Sequence, residues 1–113
     1  MLRPMSIRLP AAIALYVKAE NSGDVSSLSE CFAPSATVRD EGRTYRGLAA
    51  IRRWKTATAR KYQHTMQPLR SVKRGPKTIV TNRLTGNFPG SPIELEFVFE
   101  LDGDRIKSLE IGG

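Results

Sequence analysis

Ala36-Thr37-Val38-Arg39-Asp40-Glu41-Gly42-Arg43-Thr44-Tyr45-Arg46-Gly47 is the stretch on which the reading of this chain turns. Val38 and Tyr45 have strand character, and the Gly42 region is a turn signal. Two short strands are expected, near Thr37 to Asp40 and Arg43 to Arg46, with Gly47 ending the second. Asp40 then stands at a strand end, at the mouth of whatever the flanking helices and later strands enclose. A carboxylate placed there can act as a proton-transfer base if its surroundings are apolar.

Upstream, Leu9, Ile13, Tyr16, Val17 and Glu20 recur at helical spacing, which predicts a first helix from about Pro10 to Asn21. Pro10 suits a first turn, and Gly23 follows as glycine commonly does just past a helix. Asp24 is placed to cap a short second helix with Val25, Leu28, Cys31 and Phe32 on one face, closed by Pro34. Downstream, a third helix over about Leu48 to Tyr62 carries Ile51, Trp54, Thr58 and Tyr62 on one stripe, and its remaining face is basic.

The rest reads as strand and turn. Gln67 to Arg74 and Lys77 to Gly86 flank the turn signal Gly75-Pro76, and a loop with two prolines spans Gly86 to Pro92. Ile93, Leu95, Phe97, Phe99 and Leu101 then alternate with Glu94, Glu96, Val98 and Glu100. That pattern is a half-buried antiparallel strand with the glutamates outward. Asp102-Gly103-Asp104 is a hairpin turn before a last strand over Arg105 to Ile111. The order α-α-β-β-α-β-β-β-β means α+β: a curved antiparallel sheet wrapped around three helices, a cone with an apolar interior.

At 113 residues this is a single domain, 1–113, able to bury roughly two-thirds of its unfolded surface around one core with one pocket. One cysteine, Cys31, excludes an intramolecular disulfide and a thiolate metal cluster within one chain. It falls on the apolar stripe of the second helix, as a small buried hydrophobe does. The basic start leading into Leu9 to Val17 mimics a weak leader. The apolar stretch is short, however, contains Pro10 and Tyr16, and has no small-x-small site before Lys18 and Glu20. It reads as an amphipathic helix. No segment is long enough to span a bilayer, so the expected location is cytoplasmic.

Net charge is +7. Arg52, Arg53, Lys55, Arg60 and Lys61 form the densest basic run, followed by Arg70, Lys73, Arg74 and Lys77. No aromatic residues alternate with them on a strand, as a base-stacking platform requires. The run is expected to be a solvated face, and any nucleic-acid binding weak, salt-sensitive and without sequence preference.

Several motifs in order resemble the nuclear transport factor 2-like superfamily, in its SnoaL-like and ketosteroid isomerase-like branch. They are Tyr16-Val17, Asn21-Ser22-Gly23-Asp24, the run from Cys31 through Phe32-Ala33-Pro34-Ser35-Ala36 to Asp40, Gly47-Leu48-Ala49-Ala50-Ile51-Arg52-Arg53-Trp54, and Asp102-Gly103-Asp104-Arg105-Ile106. The resemblance covers nearly the whole chain. It implies a curved sheet on helices, a cone-shaped pocket, and a homodimer formed through the outer sheet face near Val98.

Family members include isomerases, polyketide cyclases, epoxide hydrolases, dehydratases and non-enzymatic domains, so fold alone does not choose an activity. The steroid isomerases use an aspartate base with an oxyanion hole made by a tyrosine and a protonated aspartic acid. Asp40 matches the base position and Tyr16 the tyrosine. The aspartic acid position falls near Phe97 or Leu95, so that donor is missing, and the segment between Asp40 and Gly47 is shorter than in those enzymes. A generic Asp-Tyr pocket is what the resemblance leaves.

Two functional readings follow. In the first, a cofactor-independent isomerase, cyclase or lyase acts on a small apolar carbonyl compound. Asp40 abstracts a proton and Tyr16 steadies the enolate oxygen. Trp54, Phe97, Leu95, Phe99, Tyr62 and His64 line the pocket. The alternative is a non-catalytic ligand-binding or dimerisation domain. Asp40 is equally read as a strand-end carboxylate paired with Arg43 or Arg46, Tyr16 as a core tyrosine, and His64, the one histidine, as a partly exposed structural residue. With one histidine and no partnering cysteine, no metal site is expected.

Overall fold

The structure, a computed structural model, describes residues 8–62 and 64–112, and the side chains of all of these but 60–62. The elements run α1 (Ala11–Ser22), a single 3₁₀ turn (Val25–Ser27), α2 (Leu28–Cys31), β1 (Phe32–Asp40), β2 (Arg43–Arg46), α3 (Gly47–Tyr62), β3 (Thr65–Arg74), β4 (Lys77–Thr85), β5 (Ile93–Asp102) and β6 (Arg105–Gly112). The six strands form one sheet in the order β2-β1-β6-β5-β4-β3. The architecture is α+β with the expected element order.

The sheet differs from the expectation in one pairing. It is antiparallel except where β1 runs parallel to β6, with Val38 opposite Leu109 and Phe32 opposite Ile106. This contact brings the first and last strands side by side, and nothing local in either strand encodes it. It also explains a second difference. Phe32 does not belong to the second helix, because the sheet takes its backbone and β1 starts there, with a register shift between Phe32 and Thr37 that absorbs Pro34.

Local signals that did operate are the caps. Asp24 accepts a hydrogen bond from the Ser26 backbone N–H at 3.0 Å, and Gly23 closes α1 in the left-handed conformation, donating its N–H to the Ala19 carbonyl. The Asn21 side chain then ties the end of α1 to β3. Its amide donates to the Met66 carbonyl at 2.9 Å and its oxygen accepts from the Met66 N–H at 2.6 Å.

Tyr16, Phe32, Phe97 and Phe99 stand at the centre of the core with Ile13, Leu28, Ile51 and Ile106, all fully buried or nearly so. Phe97 and Phe99 face inward while Glu94 and Glu96 are exposed, so β5 has the register its alternation predicts. On the outer face, Val72, Ile79 and Val98 lie opposite one another across β3, β4 and β5. Val72 is 48% exposed. Among the described residues no helix is long and apolar enough to cross a membrane.

Candidate active site

Between α1, α3, the concave face of the sheet and the loop before β5 lies a cavity of about 370 Å³. Its walls are mostly apolar. β5 supplies Ile93, Leu95 and Phe97, the loop supplies Phe88 and Pro89, and Leu84 and Ile111 complete that side. The α3 side supplies Trp54, Lys55 and Thr58, and the remaining polar groups are Glu20, Asp40, Glu41 and His64. An apolar cavity with a few convergent polar groups is the usual form of a small-molecule site.

Asp40 reaches it through backbone geometry. The hairpin between β1 and β2 has two loop residues, Glu41 and Gly42, at φ 53° and 76°, with Asp40 opposite Arg43. Two positive φ values are the signature of a tight turn matched to strand twist, and a glycine takes the second at no steric cost. Asp40 is thereby the last strand residue, held at the cavity wall. Trp54 Nε1 donates to its Oδ2 at 3.0 Å, and its Oδ1 has no protein partner among the described residues. Burial pushes the carboxyl above its ordinary value, Trp54's bond opposes this, and the neighbouring Glu41 charge adds to the rise. Arg43 and Arg46 are exposed and do not hold it down.

Beside Asp40 lies a buried charge cluster that sequence reasoning missed. Lys55, read as part of a solvated basic face, is only 4% exposed. Its Nζ donates to both carboxylate oxygens of Glu20, itself 7% exposed. The ammonium sits 4.3 Å from the centre of the Trp54 ring and 5.7 Å from that of Tyr16. His64 Nε2 lies 3.1 Å from Glu20 Oε1, and the Tyr16 hydroxyl donates to Oε2 at 2.5 Å. Burial alone would raise the Glu20 carboxyl; Lys55, His64 and Tyr16 overcome it and hold it at about 2. Burial lowers the Lys55 ammonium below its ordinary value, and Glu20 opposes that.

The usable signal for this cluster was helical phase. Lys55 follows Ile51 by four residues and Glu20 follows Tyr16 by four, so each charge lies on its helix's inward stripe. Such a charge must find a partner or shift its ionisation.

The structure brings Asp40, Trp54, Phe97, Leu95 and His64 to one cavity. It does not bring Tyr16 or Phe99 there. Tyr16 is fully buried among Phe32, Phe97 and Phe99, with ring centres 5.6–6.3 Å away, and its proton is committed to Glu20. Burial and then Glu20 push its hydroxyl well above the ordinary tyrosine value. Phe99 is fully buried in the same aromatic cluster, one inward position along β5 from Phe97. Tyr62 lies outside the described side chains. Asn82 shares the concave face, fully buried opposite Leu95, and neither polar atom of its amide has a partner among the described residues.

Tyr16→Phe keeps the ring and removes the bond to Glu20. It should lower unfolding free energy by about 1–3 kcal/mol in urea titration. A variant as stable as wild type would show that this buried bond contributes nothing.

Residues 13–109 match the family model described as a SnoaL-like domain. A candidate polyketide cyclase from Sinorhizobium meliloti is 40% identical, with a TM-score of 0.87 over 91% of this chain and 94% of its own. A protein from Catenulispora acidiphila with a ketosteroid isomerase-like fold is 18% identical, with a TM-score of 0.81 over 94% of this chain and 87% of its own. SalBIII, an epoxide hydrolase/cyclase-like enzyme of pyran ring formation in salinomycin, is 23% identical, with a TM-score of 0.75 over 89% and 86%. At these lower identities the likeness concerns the fold. No curated protein matches the chain.

Proposed function

The chain belongs to the SnoaL-like domain family, and on that premise we propose that its cavity binds a small apolar carbonyl compound on which Asp40 acts as general base, without a cofactor. The observation that carries this reading is the state of the Asp40 carboxyl. One oxygen is anchored by Trp54, the other has no protein partner among the described residues, and burial raises its proton affinity. A base must be oriented, accessible to the substrate and more basic than an exposed carboxylate, and these three conditions meet here. The S. meliloti relative, described as a candidate polyketide cyclase, supports a carbonyl-rich substrate class. The test is a screen of enolisable ketones and epoxides against wild type and Asp40→Asn. Turnover found in wild type and unchanged in the variant would remove Asp40 from the mechanism.

A second reading, a binding domain without turnover, is favoured by Tyr16. Its hydroxyl is spent on Glu20, so the oxyanion role implied by the family resemblance is not open to it. Losing such a donor costs about a hundredfold or more in rate. The two readings part on whether another group takes that role.

We also propose a homodimer. The outer row Val72–Ile79–Val98 is an apolar strip across three strands, flanked by charge. Light scattering should show a particle of twice 12.5 kDa at micromolar concentration. A species of 12.5 kDa alone would contradict this.

A further inference from the structure

Among the described residues, the cavity lining includes a buried cation, Lys55, with unused hydrogen-bonding capacity. An ammonium has three N–H donors. Lys55 directs its bonds to the two oxygens of Glu20, and among the described residues no third acceptor meets it. Its side chain also lines the cavity. It is fixed from three directions, by the Glu20 carboxylate and by the Trp54 and Tyr16 rings. Trp54 joins it to Asp40: the indole N–H holds the aspartate and the indole face carries the ammonium. A fixed carboxylate and a fixed cation therefore share one apolar cavity, with one indole positioning both.

We propose that Lys55 is the oxyanion-binding residue of this cavity, and that the ligand is an apolar compound bearing one carbonyl or acidic-enol oxygen that the ammonium recognises. This rests on the reading of Asp40 as base. In the step it implies, the C–H bond next to the carbonyl breaks and its proton passes to Asp40 Oδ1. The electron pair moves into the carbonyl group, and negative charge appears on its oxygen. Lys55 keeps its own proton and donates a hydrogen bond to that oxygen. The site's net charge does not change; one negative charge moves from the aspartate to the oxygen beside the ammonium. Preorganised charge aimed at where charge develops is the strongest form of such stabilisation. Glu20 acts as a positioning residue, holding Lys55 protonated and in place.

Trp54 is the chain's one tryptophan, so its fluorescence reports directly on cavity occupancy. Three probes share one rigid apolar cage and differ only in the polar group: adamantane carboxylate, adamantyl methyl ketone and adamantylmethylammonium. They are titrated into Asp40→Asn, which presents the neutral form of the base and removes its repulsion of an anion. The carboxylate should bind at least about tenfold more tightly than the ammonium, the effect of one charge-assisted hydrogen bond. This comparison needs no change at Lys55, so the proposal is testable whether or not Lys55 variants fold. In Asp40→Asn/Glu20→Gln/Lys55→Met the buried pair is neutralised together and Tyr16 keeps an acceptor. There the carboxylate preference should vanish while the ketone still binds. Preference for the ammonium in Asp40→Asn, a preference for carboxylate that survives loss of Lys55, or no binding by any probe would overturn the proposal. Carboxylate preference without turnover on any ketone would leave Lys55 in place and defeat the base reading. Turnover that needs Asp40, without anion preference, would do the reverse.

Discussion

Lys55→Met should destabilise the protein at neutral pH by about 3–5 kcal/mol, the usual effect of leaving a buried charge without its partner. For a single domain this is a large share of total stability. Glu20 is buried on the inward stripe of α1, and without the ammonium it loses the largest of the influences that oppose its desolvation. The pH dependence identifies the cause. In wild type the Glu20 carboxyl is held at about 2, below its ordinary 4.5. A depressed carboxyl contributes stability that is fully present above its unfolded pKa and is lost as pH falls through the folded value. Wild type should therefore lose stability between about pH 4.5 and pH 2. In Lys55→Met the Glu20 carboxyl should rise from that depressed value, and acid should relieve the defect by protonating it at a higher pH than in wild type. Denaturant midpoints across this range should converge as pH falls. Glu20→Gln/Lys55→Met, with no orphaned charge, should recover most of the lost stability. If the single variant matches wild type at pH 7, the pair is not the buried ion pair described.

Asp40→Asn should lower turnover by about 10²–10⁴-fold on any substrate the cavity accepts, the range for losing a positioned general base, with affinity nearly intact. The substitution keeps shape and lets the Trp54 N–H keep an oxygen acceptor. Wild-type rate should rise with pH through the Asp40 carboxyl, at a value above the ordinary 3.8, since the base must be ionised. It should fall again at alkaline pH as Lys55, lowered by burial, loses its proton. Kinetics on the first active ketone, measured as kcat and KM separately, check both limbs. An acid limb at or below the ordinary aspartate value would contradict the raised carboxyl.

What the sequence disclosed follows from the range of the interactions involved. The alternation from Ile93 to Leu101, the Asp24 cap, the Gly23 terminus and the turn at Gly42 are local, and each appears in the structure where the residues themselves require it. Asp40 was legible for the same reason: a strand end followed by a two-residue turn is a local fact. The parallel β1–β6 pairing is not local, and it moved Phe32 from helix to strand. The Glu20–Lys55 pair joins residues 35 apart. In a run with Arg52 and Arg53, Lys55 looks like one more surface charge, and only its phase with Ile51 and Trp54 shows otherwise. The same pair removed Tyr16 from the site, because the acceptor that holds its hydroxyl belongs to a network no motif displays.

The central claim is that Asp40 moves a proton in this cavity, and deuterium uptake tests it most directly. Adamantyl methyl ketone is held in deuterated buffer with wild type or Asp40→Asn, each at equal occupancy as read from Trp54 fluorescence, and label in its methyl group is followed by mass spectrometry. Uptake catalysed by wild type and reduced about a hundredfold or more in Asp40→Asn is the predicted result; equal uptake with both, or none above buffer with wild type at full occupancy, would contradict it.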